Sequence, residues 1–178
     1  MTAKEAWAKV QSLKGASIVM AEDEGMTLFT FLRELLDTAL VVEVGTGYGR
    51  SAVLMSLTGK KVITIDNYKD YQSPNSPEFL EDELKDFPIT FLNGESVEIA
   101  ETFADEIIDF LFLDGDHEYE SVKKDIEVWL PKVEKGGMVC FHDYNSWKGV
   151  TQAVDEVMAS GLLQKIYQVD SLVFAVKL

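Results

Sequence analysis

What the sequence lacks excludes several classes of protein. Its 178 residues include one cysteine, Cys140, so the chain forms no internal disulfide and suits a reducing compartment. No stretch approaches the roughly 18–20 consecutive apolar residues that a membrane-spanning helix needs. The segment Met1–Val10 is polar and contains no apolar signal-peptide core. We therefore expect a cytoplasmic protein without a membrane partner.

Basic residues are also scarce. The chain has 16 lysines and arginines against 31 aspartates and glutamates, which gives a formal net charge of −15. Such a surface repels the phosphate backbone of nucleic acids, so we expect no nucleic-acid partner. Hydrophobic residues nevertheless make up 47% of the sequence, and its length suits one well-buried domain over residues 1–178.

The most informative stretch is a glycine-rich turn. The segment Val41–Val44, apolar except for Glu43, is followed by glycines at every second position. A helix is predicted to begin near Ser51. Glycines let the backbone adopt positive φ and let a ligand come close, while a helix N-terminus presents unpaired N–H groups. This pattern predicts a cofactor site. Glu43 precedes the first glycine by two residues, and it either holds the turn through backbone N–H groups or contacts the ligand.

The spacing of these glycines separates two classes of cofactor. The dinucleotide fingerprint is G-x-G-x-x-G, whereas Gly45, Gly47 and Gly49 give G-x-G-x-G, with Arg50 at the third glycine position. Glu43 also places negative charge where a pyrophosphate would bind. A cationic cofactor without phosphates, such as S-adenosylmethionine (SAM), fits better. A nucleotide-dependent oxidoreductase is therefore the less favoured alternative.

Strands and helices alternate along the rest of the chain. This alternation predicts a Rossmann-like α/β fold with a seven-stranded, mostly parallel sheet and helices on both faces. The predicted strands are 39–45, 61–66, 88–93, 107–114, 137–142, 164–169 and 171–177, and the predicted helices lie near 50–58, 77–86, 95–104, 118–130 and 148–160. The link 169–171 is too short for a parallel crossover, so the C-terminal strand is predicted to be antiparallel.

Within the N-terminal residues 1–37, two helices are predicted, over 3–13 and 26–38. The second carries an apolar stripe that includes Leu35 and Leu36 and is expected to pack on the sheet. The segment 16–25 is acidic and predicted to be irregular. The loop 67–77 either covers the site or makes a plain surface excursion. Since a chain this short leaves little material for an acceptor pocket, we expect a homo-oligomer whose neighbouring subunit helps to close the site.

Several segments together resemble the class I SAM-dependent methyltransferases. The run Glu43–Gly49 is similar to their first motif, and four later segments resemble the small O-methyltransferases related to macrocin O-methyltransferase: Leu113–Tyr119, Trp129–Pro131, Gly136–Gly137 and Phe141–Tyr144. The resemblance extends from about Thr38 to the C-terminus. It implies a SAM-dependent enzyme that methylates a hydroxyl group of a small molecule. It also implies that the N-terminal helices within residues 1–37 cap the site. A SAM-binding protein with little catalytic activity stays open as an alternative.

Polar residues at the carboxyl ends of the predicted strands form a candidate cofactor site. From its spacing, Asp66 is predicted to bind the ribose hydroxyls. The resemblance implies that Gly45 and Gly47 lie against the methionine portion and that Asp114 lies beside its amino or sulfonium group. It also places the loop 94–96 near the adenine. The full predicted cofactor set is Glu43, Gly45, Gly47, Asp66, Asn67, Glu95, Ser96 and Asp114.

The predicted catalytic residues are His142, His117 and Asp114, because a hydroxyl acceptor needs a base or a metal to take its proton. Either histidine is expected to act as the base, although Asp116 and His117 also suit the start of a helix. The resemblance implies a divalent metal such as Mg²⁺ on Asp114 and Asp143. His142 stands where a further carboxylate is expected, and Mg²⁺ prefers oxygen ligands, so a metal is not favoured.

Overall fold

The computed structural model describes residues 1–13, 20–69 and 77–178. Seven strands of these ranges form one sheet in the order β3-β2-β1-β4-β5-β7-β6. The strands are β1 Leu40–Val44, β2 Lys61–Asp66, β3 Ile89–Asn93, β4 Ile108–Leu113, β5 Val133–Phe141, β6 Leu163–Val169 and β7 Leu172–Lys177. The predicted α/β fold is confirmed.

The register of the sheet brings the carboxyl ends of its central strands together. Strands β1 to β5 pair in parallel, with Val44 level with Ile65 on one side and with Leu113 on the other. Leu113 is in turn level with Phe141 of β5. The residues that follow these positions therefore share one edge of the sheet. As predicted, β7 is antiparallel to both of its neighbours.

Helices cover both faces of the sheet. The helices are α1 Ala3–Gln11, α2 Glu22–Arg33, α3 Arg50–Ser56, α4 Pro77–Glu83, α5 Ser96–Ala100, α6 Tyr119–Trp129 and α7 Lys148–Ala159. One buried cluster includes Trp129 of α6 and Val154 of α7, and a second includes Trp7 of α1, Leu28 of α2 and Leu54 of α3. The sheet is therefore buried on both sides. No helix within the described ranges is long and apolar enough to cross a membrane.

Several predicted boundaries were wrong. Helix α2 spans Glu22–Arg33 and not 26–38, and the acidic run 22–24, predicted to be irregular, forms its first turn. Negative charge there complements the helix dipole, and the Ala21 amide donates to the Glu24 carboxylate at 2.9 Å. Leu36 consequently lies beyond the helix and is 74% exposed. Strand β5 begins at Val133, four residues earlier than predicted. Residues 70–76 of the loop 67–77 lie outside the described ranges.

Candidate active site

The glycine turn between β1 and α3 is packed against the end of β4. Gly45 has a φ of 97°, and a Cβ atom added there would lie 2.1 Å from the carbonyl oxygen of Asp114. The Gly45 amide donates to the carbonyl of Ile65 at 2.8 Å, and the Gly47 amide donates to Asp66 Oδ2 at 3.0 Å. Only glycine meets both the positive φ and the close approach at position 45. The turn thus joins three strand ends in one rigid unit.

A cleft of about 620 Å³ opens beside this turn. Seven of the eight residues predicted to bind the cofactor lie at the turn or along the cleft, and six of them line it: Gly45, Asp66, Asn67, Glu95, Ser96 and Asp114. The second oxygen of Asp66, Oδ1, accepts from the Tyr68 amide at 2.8 Å. A carboxylate offers about four lone-pair positions, so Asp66 can hold the turn and still accept from a ligand.

The β3 side of the cleft contains a network that the sequence did not reveal. The Ser96 hydroxyl donates to Asp125 Oδ1 at 2.6 Å and accepts from the Trp129 indole N–H at 2.7 Å. Burial raises the pKa of Asp125 to about 6, and the charge of Asp116 adds to this shift. The Ser96 hydroxyl therefore makes its hydrogen bonds within the protein and links the start of α5 to α6. Glu95 is more exposed, and contacts with Lys69 and Asn67 lower its pKa.

Glu43 does not line the cleft. Its carboxyl group is fully buried beneath the turn, where the Thr64 hydroxyl donates to it at 2.5 Å. The hydroxyl groups of Thr46 and Thr64 are hydrogen-bonded to each other at 2.6 Å. Burial raises the pKa of Glu43 to about 8, and the charges of Asp114 and Asp66 add to this shift. Of the two roles open to it, this placement favours support of the strand ends. The hydrogen bonds to Glu43 come from the side chains of Thr64 and Ser51, whereas the first alternative had named backbone N–H groups.

His142 lies among three carboxylates and is 4% exposed. Its Nδ1 lies 3.0 Å from Asp114 Oδ1 and 3.4 Å from Asp143 Oδ2, and its Nε2 lies 3.4 Å from Glu24 Oε2. Burial disfavours a charged ring, but the bonds to Asp114 and Asp143 outweigh it and raise the pKa of His142 to about 11. These contacts favour the protonated form of the ring, which is poorly suited to take a further proton, so the geometry does not favour His142 as the base, and its predicted catalytic role stays a prediction.

His117 lies at the rim of the same cluster, in a different environment. Its Nε2 is 2.8 Å from Asp143 Oδ2, and its ring stacks on Trp147 with centroids 4.7 Å apart and planes tilted by 18°. Burial acts to raise the pKa of Asp143, but bonds from His142 and His117 lower it. His117 precedes α6, whose N-cap is Glu118, so it is not part of the helix itself.

A second cavity, of about 280 Å³, meets the cleft at Gly45, Asp114, Gly115 and His117. One wall comes from the N-terminal part of the chain and is apolar, with Trp7, Val10 and Met20. The lining also includes His117, Asp143 and Trp147. The reacting atoms of two ligands could therefore meet at the shared boundary. The resemblance implied that the N-terminal helices cap the site, and tertiary packing sets which of their residues line this cavity.

The cluster does not fit Mg²⁺. Asp114, His117 and Asp143 offer one ligand atom each within 4.8 Å of one another. This set includes an imidazole, whereas Mg²⁺ favours oxygen ligands in octahedral geometry. His142 Nδ1 also contacts both carboxylates, and a protonated ring there would oppose a divalent ion.

Comparison with known proteins identifies the family. A family model described as a methyltransferase domain matches residues 42–144. An uncharacterized protein of Acanthamoeba polyphaga mimivirus is 32% identical over 142 residues, and a putative O-methyltransferase of Mycobacterium sp. (strain JLS) is 32% identical over 93 residues. These alignments cover 69% and 50% of this chain but only 61% and 42% of the two relatives.

A solved structure extends the likeness to the whole fold. The O-methyltransferase from Bacillus cereus in complex with SAH superposes with a TM-score of 0.71 at 15% identity, over 99% of this chain and 90% of that one. The family match covers the glycine turn and the ends of β4 and β5. The chain therefore belongs to the family described as a methyltransferase domain, and it shares the fold of this O-methyltransferase.

Proposed function

We propose that this chain binds SAM in the 620 Å³ cleft and transfers its methyl group to a hydroxyl of a small molecule held in the 280 Å³ cavity. The observation that carries the proposal is that the two spaces meet at Gly45, Asp114 and His117, where cofactor and acceptor would face each other. The name of the mycobacterial relative, a putative O-methyltransferase, supports oxygen as the acceptor atom.

The residues along the cleft fit this cofactor. The glycine turn would lie against its methionine portion, Asp66 would accept from the ribose hydroxyls, and the loop 94–96 would lie near its adenine. Asp114, at the junction of the two spaces, would face the cationic end. When bound, SAM supplies an electrophilic methyl group on a positively charged sulfur. Acidic groups at this junction favour a cationic ligand over a pyrophosphate.

His117 is the residue best placed to accept the hydroxyl proton. Its Nε2 contacts the Asp143 carboxylate and therefore carries the N–H, which leaves the lone pair of Nδ1 available. Stacking on Trp147 fixes the plane of the ring. Positioning of the hydroxyl in line with the transferred methyl supplies much of the remaining rate enhancement. Asp143 acts as the group that orients the base.

Calorimetric titration tests the cofactor assignment first. We expect S-adenosylhomocysteine to bind and NAD⁺ not to bind, with the same affinity for the former in Mg²⁺ and in EDTA. Asp66→Asn should weaken that binding about tenfold or more, because it removes charge-assisted hydrogen bonds. The matched control is Asp86→Asn, on an exposed surface away from the cleft. Binding of NAD⁺ in place of S-adenosylhomocysteine would refute the proposal.

Activity tests the catalytic part separately. Methyl transfer from SAM to a panel of hydroxylated acceptors should be independent of Mg²⁺ and should fall about a hundredfold or more in His117→Gln. S-adenosylhomocysteine binding should persist in that variant, which shows that the site is still formed. Tight cofactor binding without transfer to any acceptor would instead favour a SAM-binding protein with little catalytic activity.

A further inference from the structure

Glu24, on the first turn of α2, reaches the candidate active site from the N-terminal layer. Its side chain is buried, at 3% exposure. Oε1 accepts from the Ser171 amide at 2.8 Å and the Ser171 hydroxyl at 2.6 Å, and Oε2 faces His142 Nε2 at 3.4 Å. One carboxylate thus joins α2, the link between β6 and β7, and the end of β5.

Helix capping accounts for only part of these contacts. Oε2 also accepts from the Ala21 amide at 2.9 Å, which a glutamate three residues after the N-cap commonly does at a protein surface. Such a glutamate needs no burial and no further partners. Burying a carboxylate is costly unless cations and donors surround it, and here Ser171 and His142 supply both.

His142 connects Glu24 to Asp143, which lines the cavity. Its ring faces an acceptor oxygen at each nitrogen: Glu24 at Nε2, and Asp114 and Asp143 at Nδ1. Both nitrogens must therefore donate, and the ring has one orientation that satisfies them. Asp143, which has a φ of 60°, in turn contacts His117 Nε2 at 2.8 Å. A continuous series of contacts runs from Glu24 to His117.

We propose that Glu24 is a positioning residue for methyl transfer: by fixing the ring of His142 it sets Asp143, and through Asp143 the orientation and tautomer of His117. The inference rests on the proposed function, because it gives His117 the proton-accepting role. Without Glu24, the His142 ring loses its partner at Nε2 and can turn, which weakens the contact of Nδ1 with the Asp143 carboxylate. The N-terminal layer thereby takes part in arranging the site.

The chain contains only two histidines, so imidazole ¹⁵N NMR reports on the cluster directly. In metal-free buffer we expect His142 to show an N–H signal at each nitrogen, because each faces a carboxylate, and His117 to show one at Nε2, which faces Asp143. Glu24→Gln keeps the shape of the side chain but sets its NH2 group against donors at one of the two oxygen positions, so it should change the Nε2–H signal of His142 and shift the ring signals of His117. Glu22→Gln is the matched control, since this exposed glutamate lies on the same helical turn.

The outcomes separate a positioning role from a structural one. Circular dichroism must first show that Glu24→Gln is folded; if it is not, Glu24→Asp, which keeps the charge but shortens its reach, takes its place. Shifted His117 signals in a folded variant support the proposal. Unchanged His117 signals overturn it and leave Glu24 as a helix cap and packing residue. Failure of the wild type to bind S-adenosylhomocysteine would refute the proposed function, whereas the NMR comparison still decides whether Glu24 orders the cluster.

Discussion

At the residue scale, burial decides what each ionisable group can do. His142 and His117 are both histidines at the same edge of the sheet, but His142 is buried among three carboxylates, which raise its pKa, while His117 has one carboxylate partner and an exposed face. The sequence could single out both rings from their position after predicted strands. It could not rank them, because the Glu24 partner of His142 lies 118 residues away in the chain.

Glu43 gives a prediction for the pH dependence of stability. Burial raises its pKa from 4.5 to about 8, so the folded chain holds a proton that the unfolded chain releases. This contribution is complete below pH 4.5 and is lost as the pH rises to about 8, with an upper bound of about 5 kcal/mol. We expect Glu43→Gln, which stays neutral, to lose less free energy of unfolding than the wild type between pH 5 and pH 9.

Urea unfolding at pH 5 and at pH 9 measures this difference. Glu101→Gln, at an exposed position, is the control and should follow the wild type. Other titrating groups, such as Asp125, contribute equally to both proteins and cancel in the comparison. The same pH dependence in Glu43→Gln and the wild type would show that the Glu43 carboxyl is ionised in the folded protein.

At the element scale, the strand β1–glycine turn–helix α3 unit could be predicted because its signal is local. Apolar residues, glycines and a helix start follow one another within about ten residues. The start of α2 could not be predicted in the same way. Its first turn is a run of acidic residues that is compatible with a loop. The contacts of Glu24 with Ser171 and His142, which favour the helix, come from distant parts of the chain.

Gly45 provides the test of this element. Gly45→Ala would place a Cβ atom 2.1 Å from the Asp114 carbonyl at a φ of 97°, so the turn must move away from β4. Gly59 also has a positive φ, 87°, but has open space around it, and Gly59→Ala is therefore the matched control for backbone strain alone. We expect Gly59→Ala to cost about 1–2 kcal/mol and to bind S-adenosylhomocysteine normally.

Gly45→Ala should cost more than that and lose S-adenosylhomocysteine binding at least tenfold, because the clash adds to the strain and displaces the turn. Thermal unfolding and calorimetric titration of the two variants give both quantities. Equal behaviour of the two alanine variants would mean that the packing of the turn against Asp114 is not required for the cofactor cleft.

At the scale of the whole molecule, the sheet has two edge strands within the described residues, β3 and β6. On β6, Ile166 and Tyr167 are 44% and 48% exposed. Exposed apolar edge strands are prone to pair with another chain. The expectation of a homo-oligomer therefore stays a prediction, and this edge is where we expect the neighbouring subunit.

Sedimentation velocity at micromolar concentration tests this expectation. We expect an oligomer for the wild type and a shift toward monomer for Ile166→Lys, because a lysine there brings an unpaired charge into the contact. Leu36→Lys is the control, at a more exposed leucine distant from the edge strand in sequence. A monomeric wild type that still transfers methyl groups would contradict the predicted assembly.

The sequence by itself determined the class of fold, the cofactor turn and the edge of the sheet at which the site forms. It could do so because strand and helix periodicity, glycine spacing and the rule for parallel strand ends act over short distances. Only the tertiary structure decided the roles of the ionisable residues. Burial and charge at Glu43, Asp125 and His142 depend on neighbours that are far away in the sequence, as does the apolar wall that α1 contributes to the second cavity.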